Sequence, residues 1–141
     1  MSEAENKAAV RRFFEEVWNA GDEGAIDRFL AADTVGNDPE FGTGREAFRA
    51  QWTRWRAAFP DIHFAVEDLV AEGDKVVSRW RMTGTQTGAF MGIPATGRRV
   101  SVAGMSLDRL RDGQIVEGCD AWDALGLRQQ LGALPGDGKA G

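Results

Sequence analysis

Few side chains in this sequence are suited to chemistry, and their settings narrow what that chemistry is. The chain has one histidine, His63, and one cysteine, Cys119. No His/Cys cluster can be assembled to hold zinc or iron, so no metal is expected, and no internal disulfide can form. A serine, histidine and acid triad would have to use His63. That residue alternates to the opposite face from Ile62 and Phe64 in an extended stretch and reads as solvated. What remains is carboxylates. Alternation over 114–122 puts Gly118, Asp120 and Trp122 on one strand face and Cys119 and Ala121 on the other. If Trp122 faces a cavity, Asp120 does too. Apolar surroundings lift an aspartate's pKa toward neutrality and make it a proton-transfer group, whereas pairing with a nearby Arg79 or Arg81 would oppose that lift. Asp38, just before Pro39, is a second carboxylate of interest, although it is equally well suited to a turn.

The bulk properties exclude several functions. The 141 residues are 43% hydrophobic and 28% charged, which suits one globular domain with one core. We expect that domain over 1–132, followed by a flexible tail at 133–141. A net charge of -5, with 17 basic residues scattered among 22 acids, argues against nucleic acid and against an anionic membrane surface. The first residues are polar and no apolar run reaches 18 residues, so neither a signal peptide nor a membrane span is expected and a cytoplasmic location fits. There is no Gly-Xaa-Gly-Xaa-Xaa-Gly or Walker pattern, hence no case for nucleotide phosphate.

The elements that must position these residues follow from periodicity. Val10, Phe13, Phe14, Val17 and Trp18 recur at helical spacing, and Asn19-Ala20-Gly21-Asp22 supplies a stop. A second helix is predicted over 22–32, capped by Asp22, with Ile26, Phe29 and Leu30 on one face. Phe48, Trp52, Trp55 and Phe59 give a third helix between Gly44 and Pro60. Trp52 and Trp55 cannot both enter a narrow interior, which leaves Trp55 for solvent or a partner.

From Ile62 the period changes to two. Hairpin turns are read at Glu72-Gly73-Asp74-Lys75, joining the strand from Ile62 to a strand over 76–85, and at Arg111-Asp112-Gly113-Gln114, joining a strand over 98–111 to one over 114–122. The glycine-punctuated stretch 86–97 reads as a long mobile connection, and Asp123 caps a last short helix. Helices followed by an antiparallel meander describe an α+β fold, a strongly curved, mostly antiparallel sheet wrapped over N-terminal helices. Its aromatic content exceeds what helix packing needs and suggests one apolar pocket.

Several segments carry a family resemblance: Phe59-Pro60-Asp61, Ala71-Glu72-Gly73-Asp74-Lys75-Val76-Val77, Thr83-Gly84-Thr85, Gly92-Ile93-Pro94-Ala95-Thr96-Gly97-Arg98 and Asp112-Gly113-Gln114-Ile115-Val116-Glu117. In order and spacing, over roughly residues 5 to 132, they resemble the SnoaL-like polyketide cyclases. That family has the open cone shared by nuclear transport factor, ketosteroid isomerase and limonene epoxide hydrolase. The fold alone does not fix the reaction.

The resemblance implies a cofactor-independent cyclase in which a carboxylate on the last strand, here Asp120, is acid and base in an aldol closure. Asn37-Asp38-Pro39 resembles the segment bearing the base of ketosteroid isomerase. That enzyme also needs a tyrosine and a protonated carboxyl as donors. Here Phe14 and Ser106 stand at those places and the chain has no tyrosine, so steroid isomerisation of that type is disfavoured. Several anthracycline-type cyclases have a histidine where Ser106 stands. Limonene epoxide hydrolase needs an Arg followed two places on by Asp, whereas Arg79 is followed by Arg81.

The expected site therefore has Asp120 as proton-transfer residue, with Asp38 and Gln51 as polar helpers and Ser106 beside them. Phe14, Trp52, Trp80, Met82, Met105 and Trp122 are its walls, and 84–97 its lid. A bulky, apolar, polyketide-like small-molecule substrate and a homodimer are implied. Epoxide opening or isomerisation by Asp38 with Asp120, and ligand binding without chemistry, are the alternatives.

Overall fold

A computed structural model describes residues 2–36 and 43–133. Asp38 lies outside the described residues, as does the expected tail from residue 134 onward.

Helix α1 (Glu3–Arg12) starts in a reciprocal cap, with Glu5 N–H donating to Ser2 Oγ at 3.0 Å and Ser2 N–H to Glu5 Oε1 at 2.8 Å. It continues as a π-helical segment, Phe13–Asn19. The wider turn has a packing consequence: Phe13 and Phe14, then Val17 and Trp18, are adjacent pairs and all four are buried. Asn19 docks the end of this segment on the sheet, accepting from Phe64 N–H at 2.7 Å and donating to Phe64 O at 2.9 Å.

Helix α2 (Glu23–Phe29) is capped by Asp22, whose side chain accepts from Gly24 N–H at 3.0 Å. It is shorter than its predicted span, because Leu30 turns extended and opens strand β1 (Leu30–Gly36). Three apolar residues at its end, Leu30 to Ala32, suit either state, and pairing of β1 with the last strand decides between them. Helix α3 (Arg45–Ala58) buries Phe48, Trp52 and Ala58.

Strands β2 (His63–Glu72), β3 (Lys75–Thr85), β4 (Arg99–Arg111) and β5 (Gln114–Trp122) form the meander, and helix α4 (Ala124–Gln130) follows. The sheet order is β1-β5-β4-β3-β2, with β1 parallel to β5 and all other pairs antiparallel. The β4–β5 hairpin turns at Asp112 (φ 53°) and Gly113 (φ 80°), as an Asp-Gly pair permits. The fold is thus α+β with an open, mostly antiparallel sheet.

One face of the sheet meets the helices and the other does not. Strand β4 alternates without a break, with Val100, Val102, Gly104, Ser106, Asp108 and Leu110 inward. On β3 the inward residues include Ser78, Trp80 and Met82, while Arg79 faces outward and pairs with Asp68 at 2.6 Å and Glu67 at 3.0 Å. No helix of the described residues is long and apolar enough to cross a membrane.

The segment 86–97, predicted to be a long mobile connection and most of the lid over 84–97, carries its own bonding network. Gln86 is fully buried; its side chain donates to Ile93 O at 3.1 Å and accepts from Thr96 N–H and Oγ1–H at 3.1 and 2.7 Å. Thr87 N–H donates to Ala58 O at 2.9 Å. Glycines and a proline marked the segment as irregular, but a single buried glutamine organises it around its own backbone.

Candidate active site: a polar strip on the floor of an apolar cavity

Between helices and sheet lies a cavity of about 950 Å³. Phe14, Gln51, Trp80, Met82, Ser106, Asp120 and Trp122, all expected on sequence grounds, line it. Its walls are aromatic: Phe64 packs against Phe14, Trp18 and Trp80 with ring centroids 5.0–5.5 Å apart. Near the opposite wall, Trp55 sits 4.4 Å from Phe90 and 5.5 Å from Trp122.

Two expected wall residues are elsewhere. Met105 is 48% exposed on the outer sheet face, because alternation on β4 sends its neighbours Gly104 and Ser106 inward. Trp52 is buried but does not line the cavity; its indole N–H donates to Val17 O at 2.9 Å, in the seam between α3 and the π-helical segment. The wall position belongs to Trp55, which was expected to face solvent or a partner. The helix rotation between the two tryptophans gives one to the seam and the other to the cavity.

The floor is built from the inward rows of β4 and β5, where large and small residues stand opposite one another. Gly104 pairs with Trp122, Ser106 with Asp120, and Asp108 with Gly118. Each glycine makes room. A β-carbon at Gly104 would collide with the Trp80 ring, which crosses that position, and one at Gly118 would stand 3.2 Å from Asp108 Oδ1. Trp80 Nε1–H reaches across the strands to donate to Ser106 Oγ at 2.9 Å, and both residues are buried. With its oxygen so engaged, the Ser106 hydroxyl has a proton left to donate.

The two carboxylates differ in setting. Asp120 lines the cavity but is solvent-exposed. Asp108 lines it too, is only 6% exposed, and accepts no hydrogen bond among the described residues. Burial first, and the neighbouring Asp120 charge second, push the Asp108 carboxyl well above the usual carboxylate range. The isolation from water expected for position 120 is therefore found at position 108. Strand parity with Ser106 was visible in the sequence, but an aspartate on a strand is far more often solvated than enclosed.

Arg54 of α3 and Arg128 of α4 also line the cavity. Neither side chain makes a hydrogen bond or ion pair among the described residues. Arg79 and Arg81 do not line it, and His63 and Cys119 are exposed. No three His, Cys, Asp or Glu residues come together to hold a metal ion among the described residues.

Known proteins resemble this chain in sequence and fold. Aklanonic acid methyl ester cyclase DnrD of Streptomyces peucetius is 33% identical over 129 residues, covering 87% of this chain and 88% of the relative. Its counterpart DauD of Streptomyces sp. (strain C5) is also 33% identical, over 87% of this chain and 79% of that protein. Among solved structures, TsrD from Streptomyces laurentii superposes with a TM-score of 0.88 at 36% identity, covering 95% of this chain and 99% of that one. IdmH from Streptomyces antibioticus gives 0.77 at 32%, covering 90% and 98%. The family model described as SnoaL-like polyketide cyclase matches residues 8–131. Cone, cavity and sequence likeness agree over nearly the whole chain, which belongs to the SnoaL-like polyketide cyclase family.

Proposed function

We propose that the chain is a cofactor-independent polyketide cyclase that closes a ring in a bulky, largely apolar polyketone, with Asp120 as the proton-transfer group. The observation that carries this reading is an aromatic-walled cavity of about 950 Å³ with the Asp120 carboxylate on its floor. That volume is near the upper end for small-molecule sites and suits a fused-ring precursor. The names of the curated relatives, cyclases of aklanonic acid methyl ester, support the same class of substrate.

In the proposed reaction Asp120 accepts a proton from a carbon alpha to a ketone, and the C–H electron pair becomes the enolate. The enolate carbon bonds to a second carbonyl carbon, whose π pair moves to its oxygen. That oxygen takes the proton from Asp120, which returns to its starting state. Product and substrate are isomers, so no oxidant or reductant is consumed. The walls hold a flexible chain in the folded conformer that brings the two carbons together, a proximity contribution distinct from proton transfer.

The reading extends to assembly and location. The outer face of β4 and β5 exposes Met105 (48%) and Leu107 (39%), with Ala103, Cys119 and Ala121 beside them. We assign that face to a homodimer contact in a cytoplasmic enzyme.

Aklanonic acid methyl ester is the first probe to try, with conversion to a product of unchanged mass as the expected outcome. Asp120→Asn should lower turnover at least ~10-fold, within the usual range for losing a general acid or base. Equal turnover would remove Asp120 from the mechanism. A chain that binds the ester and never converts it is a binding module, and the enzyme reading fails.

A further inference from the structure

The proposed aldol scheme gives Asp108 no task, yet its setting is unusual. A carboxyl group 6% exposed, with no hydrogen bond among the described residues, would be replaced at little loss by an apolar residue if it served the fold alone. Asp108 is instead at the cavity surface, and Gly118 opposite leaves the space beside its Oδ1 open. Ser106, two residues along the same inward row, has its oxygen occupied by the Trp80 N–H and its proton uncommitted among the described residues.

We propose that Ser106 and Asp108 form a two-donor seat for a substrate oxygen that takes on negative charge, so that the cavity selects polyketones presenting an enolisable carbonyl to strand β4. The reaction it serves rests on the cyclase reading; the binding event does not.

Charge and geometry agree on which carboxyl donates. Two neighbouring carboxylates cannot easily both ionise, and the solvent-exposed Asp120 holds the charge at lower cost. Asp108 then keeps its proton and has no acceptor for it among the described residues, leaving a ligand oxygen as partner. Among the described residues no cation pairs with Asp108. Val76 is its partner on β3 and Gly118 on β5, Ser78 and Ser106 stand on the same inward rows, Asp120 is its charged neighbour, and the cavity's arginines are Arg54 on α3 and Arg128 on α4. Asp120 removes the proton while Ser106 and Asp108 donate hydrogen bonds to the substrate oxygen on which the electron pair comes to rest, a division in which preorganised donors need not reorient during reaction.

A 2-naphthol bearing a cyano group tests the seat without turnover, since its naphtholate oxygen imitates an enolate and its ionisation is visible by absorbance. Wild type should bind it and raise the ionised fraction above that of free dye at the same pH. Asp108→Asn, which keeps an N–H donor, should bind naphtholate within about threefold of wild type, and Asp108→Val at least ~10-fold more weakly. Should Asp108→Val fail to fold, Asp108→Asn still decides: an ionised Asp108 repels naphtholate, so tenfold tighter binding by Asp108→Asn overturns the proposal. Carbon-13 NMR of aspartate carboxyls gives a second reading. A signal lost in Asp108→Asn and still protonated at pH 6 supports the seat; titration with the ordinary carboxylates near pH 4 overturns it. An intact seat in a protein that closes no ring would sink the cyclase reading alone. Undiminished ring closure and dye binding in Asp108→Val would sink the seat alone.

Discussion

The Trp80 indole N–H and the Ser106 hydroxyl oxygen meet at 2.9 Å on the cavity floor, across β3 and β4. That bond fixes the largest ring of the floor and sets which way the serine proton points. Ser106→Ala would leave a buried N–H without its acceptor, a loss of about 1–3 kcal/mol. Denaturant unfolding should show the drop, whereas Trp80→Phe with Ser106→Ala together should recover part of it. Full additivity of the two substitutions would contradict the coupling.

Asp108 predicts a pH dependence with a definite sign. Its folded-state pKa is raised above the ordinary 3.8, so between the two values the folded chain holds a proton that the unfolded chain has lost. Stability therefore falls as pH rises through that window and levels off above the folded value. Asp108→Asn should remove this fall and raise Tm on the alkaline side of that window by ~2–5 °C, as an effect of about 1 kcal/mol does in a domain of this size. A lower Tm for the variant at pH 7 would mean that the carboxylate is compensated in the folded state.

Asp61 behaves oppositely. It accepts Thr85 N–H at 2.7 Å and Thr85 Oγ1–H at 2.9 Å, tying the end of β3 to the turn after α3. The Thr85 backbone bond chiefly, and its hydroxyl as well, lower the Asp61 pKa against the smaller opposing effect of burial. This contribution is present above pH 3.8 and disappears as pH falls through the lowered folded value. Asp61→Ala should cost on the order of 1–2 kcal/mol at pH 7. A loss that persisted unchanged at pH 2 would point to packing in place of these bonds.

The outer sheet face offers a test of assembly. Met105→Arg places a charge in the exposed apolar strip without touching the cavity floor, and sedimentation should show a shift from dimer to monomer. A wild-type chain that sediments as a monomer would refute the homodimer directly.

Gly104 probes the floor's geometry. A β-carbon there would meet the Trp80 ring and stand 2.9 Å from Trp122 Cβ. Gly104→Ala should therefore displace Trp80 from Ser106, lowering stability by about 1–3 kcal/mol through overpacking and changing tryptophan fluorescence. An unchanged emission spectrum together with unchanged stability would show that the ring has room to move.

The order of the helices and of the four meander strands, both hairpin turns and the shared face of Ser78, Trp80 and Met82 on β3 were written in the sequence, because they depend on periods of two and 3.6 and on local turn chemistry. Where α2 yields to β1 depended on a parallel partner more than 80 residues away in the chain, at Ile115. Local propensity could not supply that.

The site was legible to the same extent. Parity alone put Asp120 on the face of Trp122. Parity also permitted Asp108, but composition argues that a strand aspartate meets water, and only enclosure between β3, β5 and the helices reversed that. Met105 and Trp52 were misplaced because an apolar side chain can fill a cavity wall, a seam or an outer face equally well. The sequence by itself determined which residues share a face; tertiary packing decided which faces enclose a cavity and which of two aspartates is shielded from solvent. The physical reason is that alternation is a property of a few bonds, whereas desolvation is a property of everything packed around a side chain.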